Sequence, residues 1–164
     1  MTTPKRTMSA LIESVEKWLL EMTSENETKL FQDVVCIATD DDLQDSIAAQ
    51  RGGAFFNVSY QINKKFSEHS TGVFGTALLE IAIVVPRAKV NRKEFAVKFW
   101  KTCQRFISLY KTTNEIAVVV DGVAMPAVAK FQARLVAEKG IQVINQANAC
   151  VAVFQFSIDN VQLV

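Results

Sequence analysis

The stretch that decides the fold is Gly75–Lys111. It opens as GTALLEIAIVVPR (75–87) and closes, after a short link, as NRKEFAVKFWKTCQRFISLYK (91–111). In the first half, Ala77 to Val85 is apolar except for Glu80. That is too continuous for a strand with one wet face, so a central strand over 76–85 is expected, covered by helix on one face and partly covered on the other. Pro86 ends it. In the second half Phe95, Phe99, Cys103, Phe106 and Tyr110 recur at helical spacing, joined by Ile107. This is the buried stripe of an amphipathic helix over about 91–111. Asn91 with Glu94 three positions on forms a capping-box pattern at its start. Val97 and Trp100 lie beside the stripe, and either widen it or meet a neighbour.

Working outward, residues 1–7 read as a loose arm. A helix capped by Ser9 is expected through about Met22, with Leu11, Val15, Trp18, Leu19 and Met22 on one side. LFQDVVCIAT (30–39) reads as a strand centred on Val34–Ile37. The TDDD run at 39–42 reads as the cap and first turn of a short helix, where negative charge complements the helix dipole. Arg51-Gly52-Gly53 reads as a turn. AFFNVSYQI (54–62) alternates as a strand, and 63–74 as an exposed mobile loop containing His69. Beyond the long helix, NEIAVVVDG (114–122) is a strand ending in an Asp121-Gly122 turn. Phe131, Ala133 and Leu135 alternate with polar residues in the next strand. Glu138-Lys139-Gly140 turns the chain into a short one. In the last strand the apolar phase shifts between Val151/Val153 and Phe154/Phe156/Ile158, which suits a bulge. The expected class is α+β in one domain, 1–164. Its sheet is mixed and mostly antiparallel, with the long helix and the N-terminal helix packed on it.

Composition agrees with a packed domain. Of the 164 residues 49% are apolar, including 11 Phe, so a sizeable core is available. The net charge of +1 is unevenly distributed. Ten acids lie between Glu13 and Asp45 against Lys17 and Lys29. Seven bases lie between Arg87 and Arg105 against Glu94 alone. Such opposed patches suit head-to-tail contacts between copies, or pairing within one molecule. Cys36, Cys103 and Cys150 each sit in an apolar pattern, as small buried hydrophobes do. With a single histidine and no CxxC, neither a zinc site nor another metal or cofactor site is expected. No secretory leader and no membrane span is read. No nucleophile elbow, Walker loop, dinucleotide fingerprint or HExxH helix occurs, so no catalytic residue is assigned and an enzyme is not expected.

The element order, carried by LIESVEKWLLEM (11–22), LFQDVVCIATDDDLQDSIAAQRGGAFFNVSYQI (30–62), LLEIAIVV (78–85) and ACVAVFQFSI (149–158), resembles the tail-terminator family of long-tailed bacteriophages. Gly52-Gly53-Ala54 stands where that family frequently has Pro-Ala. The resemblance implies a structural virion protein, assembled in the host cytoplasm, that forms a ring of six. The ring would cap the tail tube at its head-proximal end and join it to the neck. Its partners would be further copies of itself, the tube protein, and sheath and neck or head-completion proteins, with no membrane and no sequence-specific nucleic acid. On that reading Arg87, Lys89, Arg92, Lys93, Lys98 and Lys101 form one half of a subunit contact, and Asp40, Asp41, Asp42 and Asp45 the other. The alternative is a nucleic-acid-binding module using the basic helix 87–105. An enzyme or regulatory subunit with a polar pocket is a third, weaker reading.

Overall fold

The computed structural model describes residues 5–37, 42, 45, 52–61, 67–69, 72–87, 92–124, 129–136, 141–145 and 149–162. The frame is a pair of long antiparallel strands, β4 (Gly72–Pro86) and β10 (Ala149–Gln162), in register from Ala149 opposite Pro86 to Gln162 opposite Phe74. Each long strand shares its outer edge between two shorter ones. β2 (Gly53–Gln61) and β3 (Ser67–His69) pair with β4, while β8 (Lys130–Leu135) and β9 (Ile141–Asn145) pair with β10. The sheet runs β1-β2-β4-β10-β8-β5, with β1 (Asp33–Cys36) and β5 (Glu115–Ala117) at its ends. Only the edge pair β1–β2 is parallel among the described strands. The fold is therefore α+β with a mostly antiparallel sheet.

Two helices, α1 (Met8–Leu20) and α2 (Arg92–Thr112), cover one face. Residues of one strand parity face them: Ala77, Leu79, Ile81 and Ile83 from β4, and Ala152, Phe154, Phe156 and Ile158 from β10. α1 contributes Leu11, Val15 and Leu19, and α2 contributes Phe99, Cys103 and Phe106. Phe106 is the hub of this layer. Its ring lies 5.0 Å from Phe154 and 6.1 Å from Phe156 below, and 6.2 Å from Trp18 and 6.1 Å from Phe31 to the side. The far end of α2 is tied down by Tyr110, whose hydroxyl donates to the Ala133 carbonyl (2.9 Å) and accepts from the Leu135 amide (3.0 Å).

The opposite face carries a smaller apolar cluster at the Pro86 end: Phe55, Ala82, Val84, Ala149 and Val151. Farther along it turns polar, with the Gln155 amide donating to Glu80 at 2.9 Å. This accounts for the apolar phase change in β10. Val151 and Phe154 lie on opposite faces of one unbroken register, because both faces are covered there. The bulge falls later, between Ile158 and Val161, where Asn160 has φ 58°. Asp159 is held there by Thr76 and Arg134.

Other sequence expectations shift for local reasons. Thr7, not Ser9, caps α1, its hydroxyl accepting from the Ala10 amide. Residues 67–69 and 72–74, read as loop, form the β3–β4 pairing, which places His69 in a strand. The strand read over 114–120 breaks at Val118 into β5 and β6 (Val119–Val120). β6 then makes a two-residue hairpin with β7 (Val123–Ala124). Asp121 and Gly122, both at positive φ (51° and 79°), supply the turn that such a hairpin requires. Gly52-Gly53 is not a simple turn. Gly53 opens β2 at φ 153°, and any side chain there would overlap the Asp33 carbonyl of β1. The proposed caps at Thr39, Asp40 and Asn91 and the Glu138–Gly140 turn lie outside the described residues.

Phe106→Ala is expected to lower the unfolding free energy by about 3–5 kcal/mol in urea titration, the usual cost of emptying an aromatic core site. Trp100→Ala, at a half-exposed position, should cost less than about 1 kcal/mol.

Candidate interaction surface

The outward side of α2 is unusual in what it leaves uncovered. Trp100 is 49% exposed and Val97 43%, both large apolar side chains on a helix whose other side is sealed into the core. On the same helix Arg92, Lys93, Lys98 and Lys101 are exposed, with Glu94 as the one exposed acid. Among the described residues no acid lies within ion-pair distance of Arg92, Lys98 or Lys101. Beside Trp100, between α2 and β10, runs an apolar groove of about 530 Å³ reaching Ile107 and Phe154.

Not every base of the helix belongs to this surface. Arg105 is half-buried and its Nε donates to the Thr23 carbonyl at 2.8 Å, bracing α2 against the turn after α1. Sequence reasoning missed this because the partner is a backbone carbonyl far away in the chain. It also missed Ser14. That hydroxyl is buried, donates to the Ala10 carbonyl (2.5 Å) and accepts from the Val119 amide (2.9 Å).

Of the residues expected at a subunit contact, Arg87 follows β4, while Arg92, Lys93, Lys98 and Lys101 lie on α2, all exposed. Asp42 and Asp45 are helical and exposed. Lys89, Asp40 and Asp41 lie outside the described residues. A second cluster of exposed acids sits elsewhere: Glu13 and Glu16 on α1, next to Leu20, which is 37% exposed. α1 packs over β1, where Val35 is equally exposed. Basic and acidic surfaces thus sit on different elements, each with uncovered apolar side chains.

The cysteines divide by environment. Cys103 lies in the core, and burial, with Cys150 nearby, pushes its thiol up to about 12. Cys150 is half-buried, and its thiol is raised by burial against the opposing pull of Arg87. Cys36, expected to be buried, is exposed because β1 is an edge strand. Its thiol is raised by partial desolvation and by Glu16. Among the described residues no group of three His, Cys, Asp or Glu could hold a metal, and no helix is long and apolar enough to cross a membrane. Comparison with protein-family models and with curated proteins returns no match.

With a maleimide or iodoacetamide at pH 8, Cys36 should label first and Cys103 only on unfolding, read by mass spectrometry of peptides. Because Cys103 keeps its proton in the fold above its ordinary value of 9.0, the unfolded chain gives up that proton first as pH rises. Its contribution to stability should therefore fall between about pH 9 and 12, and Cys103→Ala should flatten that part of the stability profile.

Proposed function

We propose that this is a structural, self-assembling protein of the bacteriophage tail-terminator kind. It forms a ring that caps a tail tube at its head-proximal end and joins it to the neck. The observation that carries the reading is α2, which leaves Trp100 and Val97 uncovered and also exposes Arg92, Lys98 and Lys101. Trp is among the residue types enriched in protein–protein hot spots, and here it stands uncovered one helical turn from Val97. Exposed acids on other elements of the same chain supply the complementary charge, and such a pair of patches is heterologous, the type that closes into rings. The element order, which resembles that of tail terminators, adds the assembly context. On this reading the protein is not an enzyme. Its partners are its own copies in a ring of six, the tube protein, and sheath and neck proteins, and its place is the virion.

Light scattering across concentration and salt tests this. A discrete oligomer, or a monomer that joins tail tubes, is expected. Lys98→Glu with Lys101→Glu should weaken association by about tenfold or more without unfolding the monomer, since rim charges govern encounter and register. A second reading rests on the same exposed Arg92, Lys98 and Lys101, which would also suit a nucleic-acid backbone. It requires DNA affinity that falls steeply with salt and a protein indifferent to tube.

A further inference from the structure

A second basic feature lies where the Pro86 end of β4 meets the segment before β1 and the side of α2. It is a cleft of about 390 Å³. Lys29, Arg87 and Lys98 line it, and its described lining contains no acid. The rest of the lining is mixed, with Gln32 and Thr102 beside half-buried Leu30 and Pro86, which lie over the core residues Phe31, Ile83 and Val85. One wall is Gly52-Gly53, which adds no side chain. A cleft whose charged lining is Lys29, Arg87 and Lys98 favours a carboxylate-bearing occupant. The apolar part of the lining, Leu30 and Pro86, adds a place for an apolar side chain beside the charge. An amphipathic acidic segment satisfies both demands.

The same chain carries one. Glu13, Glu16 and Leu20 fall on one side of α1, at spacings of three and four, and all are exposed. Lys17, the only cation in α1, is occupied with the Gly122 carbonyl (3.2 Å) and Glu21 (3.8 Å). The stripe lies opposite Leu11, Val15 and Leu19, which are locked into the core. The stripe is exposed, with Glu16 close enough to β1 of its own molecule to act on Cys36, and on a helix whose other side is packed into the core it cannot turn inward to fill the cleft.

We infer that this cleft receives the Glu13–Glu16–Leu20 stripe of a second copy of the chain. Leu20 lies against the apolar lining, and the two carboxylates meet Lys29, Arg87 and Lys98. The inference rests on the ring reading above and gives it a specific head-to-tail contact, distinct from one built on Asp42 and Asp45.

The test uses two full-length variants at exposed positions, each checked for folding by circular dichroism: Lys29→Glu/Lys98→Glu in the cleft and Glu13→Lys/Glu16→Lys on the stripe. Each alone should raise the concentration for half-assembly at least tenfold, measured by light scattering. An equimolar mixture should restore assembly, because the reversed cleft of one variant now matches the reversed stripe of the other. Parental assembly by either variant alone, or a mixture no better than its components, overturns the inference and leaves the ring reading standing. A parent chain that stays monomeric at every concentration and with tail tube overturns both. Loss of salt-sensitive DNA binding in the cleft variant, with assembly unchanged, assigns the cleft to nucleic acid and also overturns it.

Discussion

The pairing of β4 with β10 is the constraint on which the other elements depend. Strands of 15 and 14 residues run side by side almost end to end, and each carries a row of apolar side chains on the helix side. Slipping that register by one residue would put Leu79 and Ile81 on the face opposite to Phe154 and Phe156, leaving one of the two rows away from the helices, so the pairing is strongly specified. The shorter strands complete its edges, and the helices seal its apolar face. Phe106 concentrates that seal in one ring touching α1, β10 and the segment before β1. Near the bulge, Thr76 of β4 and Arg134 of β8 both reach Asp159 of β10, linking three adjacent strands.

What could be read directly from the amino-acid order was what depends on period alone. The apolar run of β4 and the 95–110 stripe of α2 declare a central strand and an amphipathic helix without reference to any distant residue. Features set by distant partners were not legible. The phase change in β10 looked like a bulge because a second apolar cluster, assembled from β2, β4 and β10, could not be anticipated from one strand. Cys36 looked buried because Val34, Val35 and Ile37 surround it, yet β1 became an edge. Arg105 looked like part of a charged face because its carbonyl partner, Thr23, is 82 positions away. At the candidate surface the charges were visible in the order of residues. Which of them stay exposed and which brace the fold was decided by the path of the turn after α1.

The surface follows a different logic from the core. Inside, aromatic and aliphatic side chains are nearly all sealed. Outside, Trp100, Val97, Leu20 and Val35 remain uncovered, each on an element whose other side is fixed. Single exposed apolar residues are ordinary. Here they accompany clustered charge of one sign, basic around α2 and acidic around α1. Rigid elements presenting such mixed patches suit a protein whose work is to bind copies of itself and neighbouring proteins. On the proposed assembly reading, orientation comes from the charges and affinity from desolvation of the apolar anchors.

The most direct measurement is the fluorescence of Trp100 in the Trp18→Phe chain, where it is the only indole. Emission and acrylamide quenching would be followed as the protein is concentrated from monomer into assembly. The account predicts a blue shift and a several-fold loss of quenching in step with the rise in mass, as Trp100 leaves water for a subunit contact. An indole that stays fully quenchable while the mass rises would mean that assembly uses another surface. An indole that stays quenchable with no rise in mass at all would contradict the assembly reading itself.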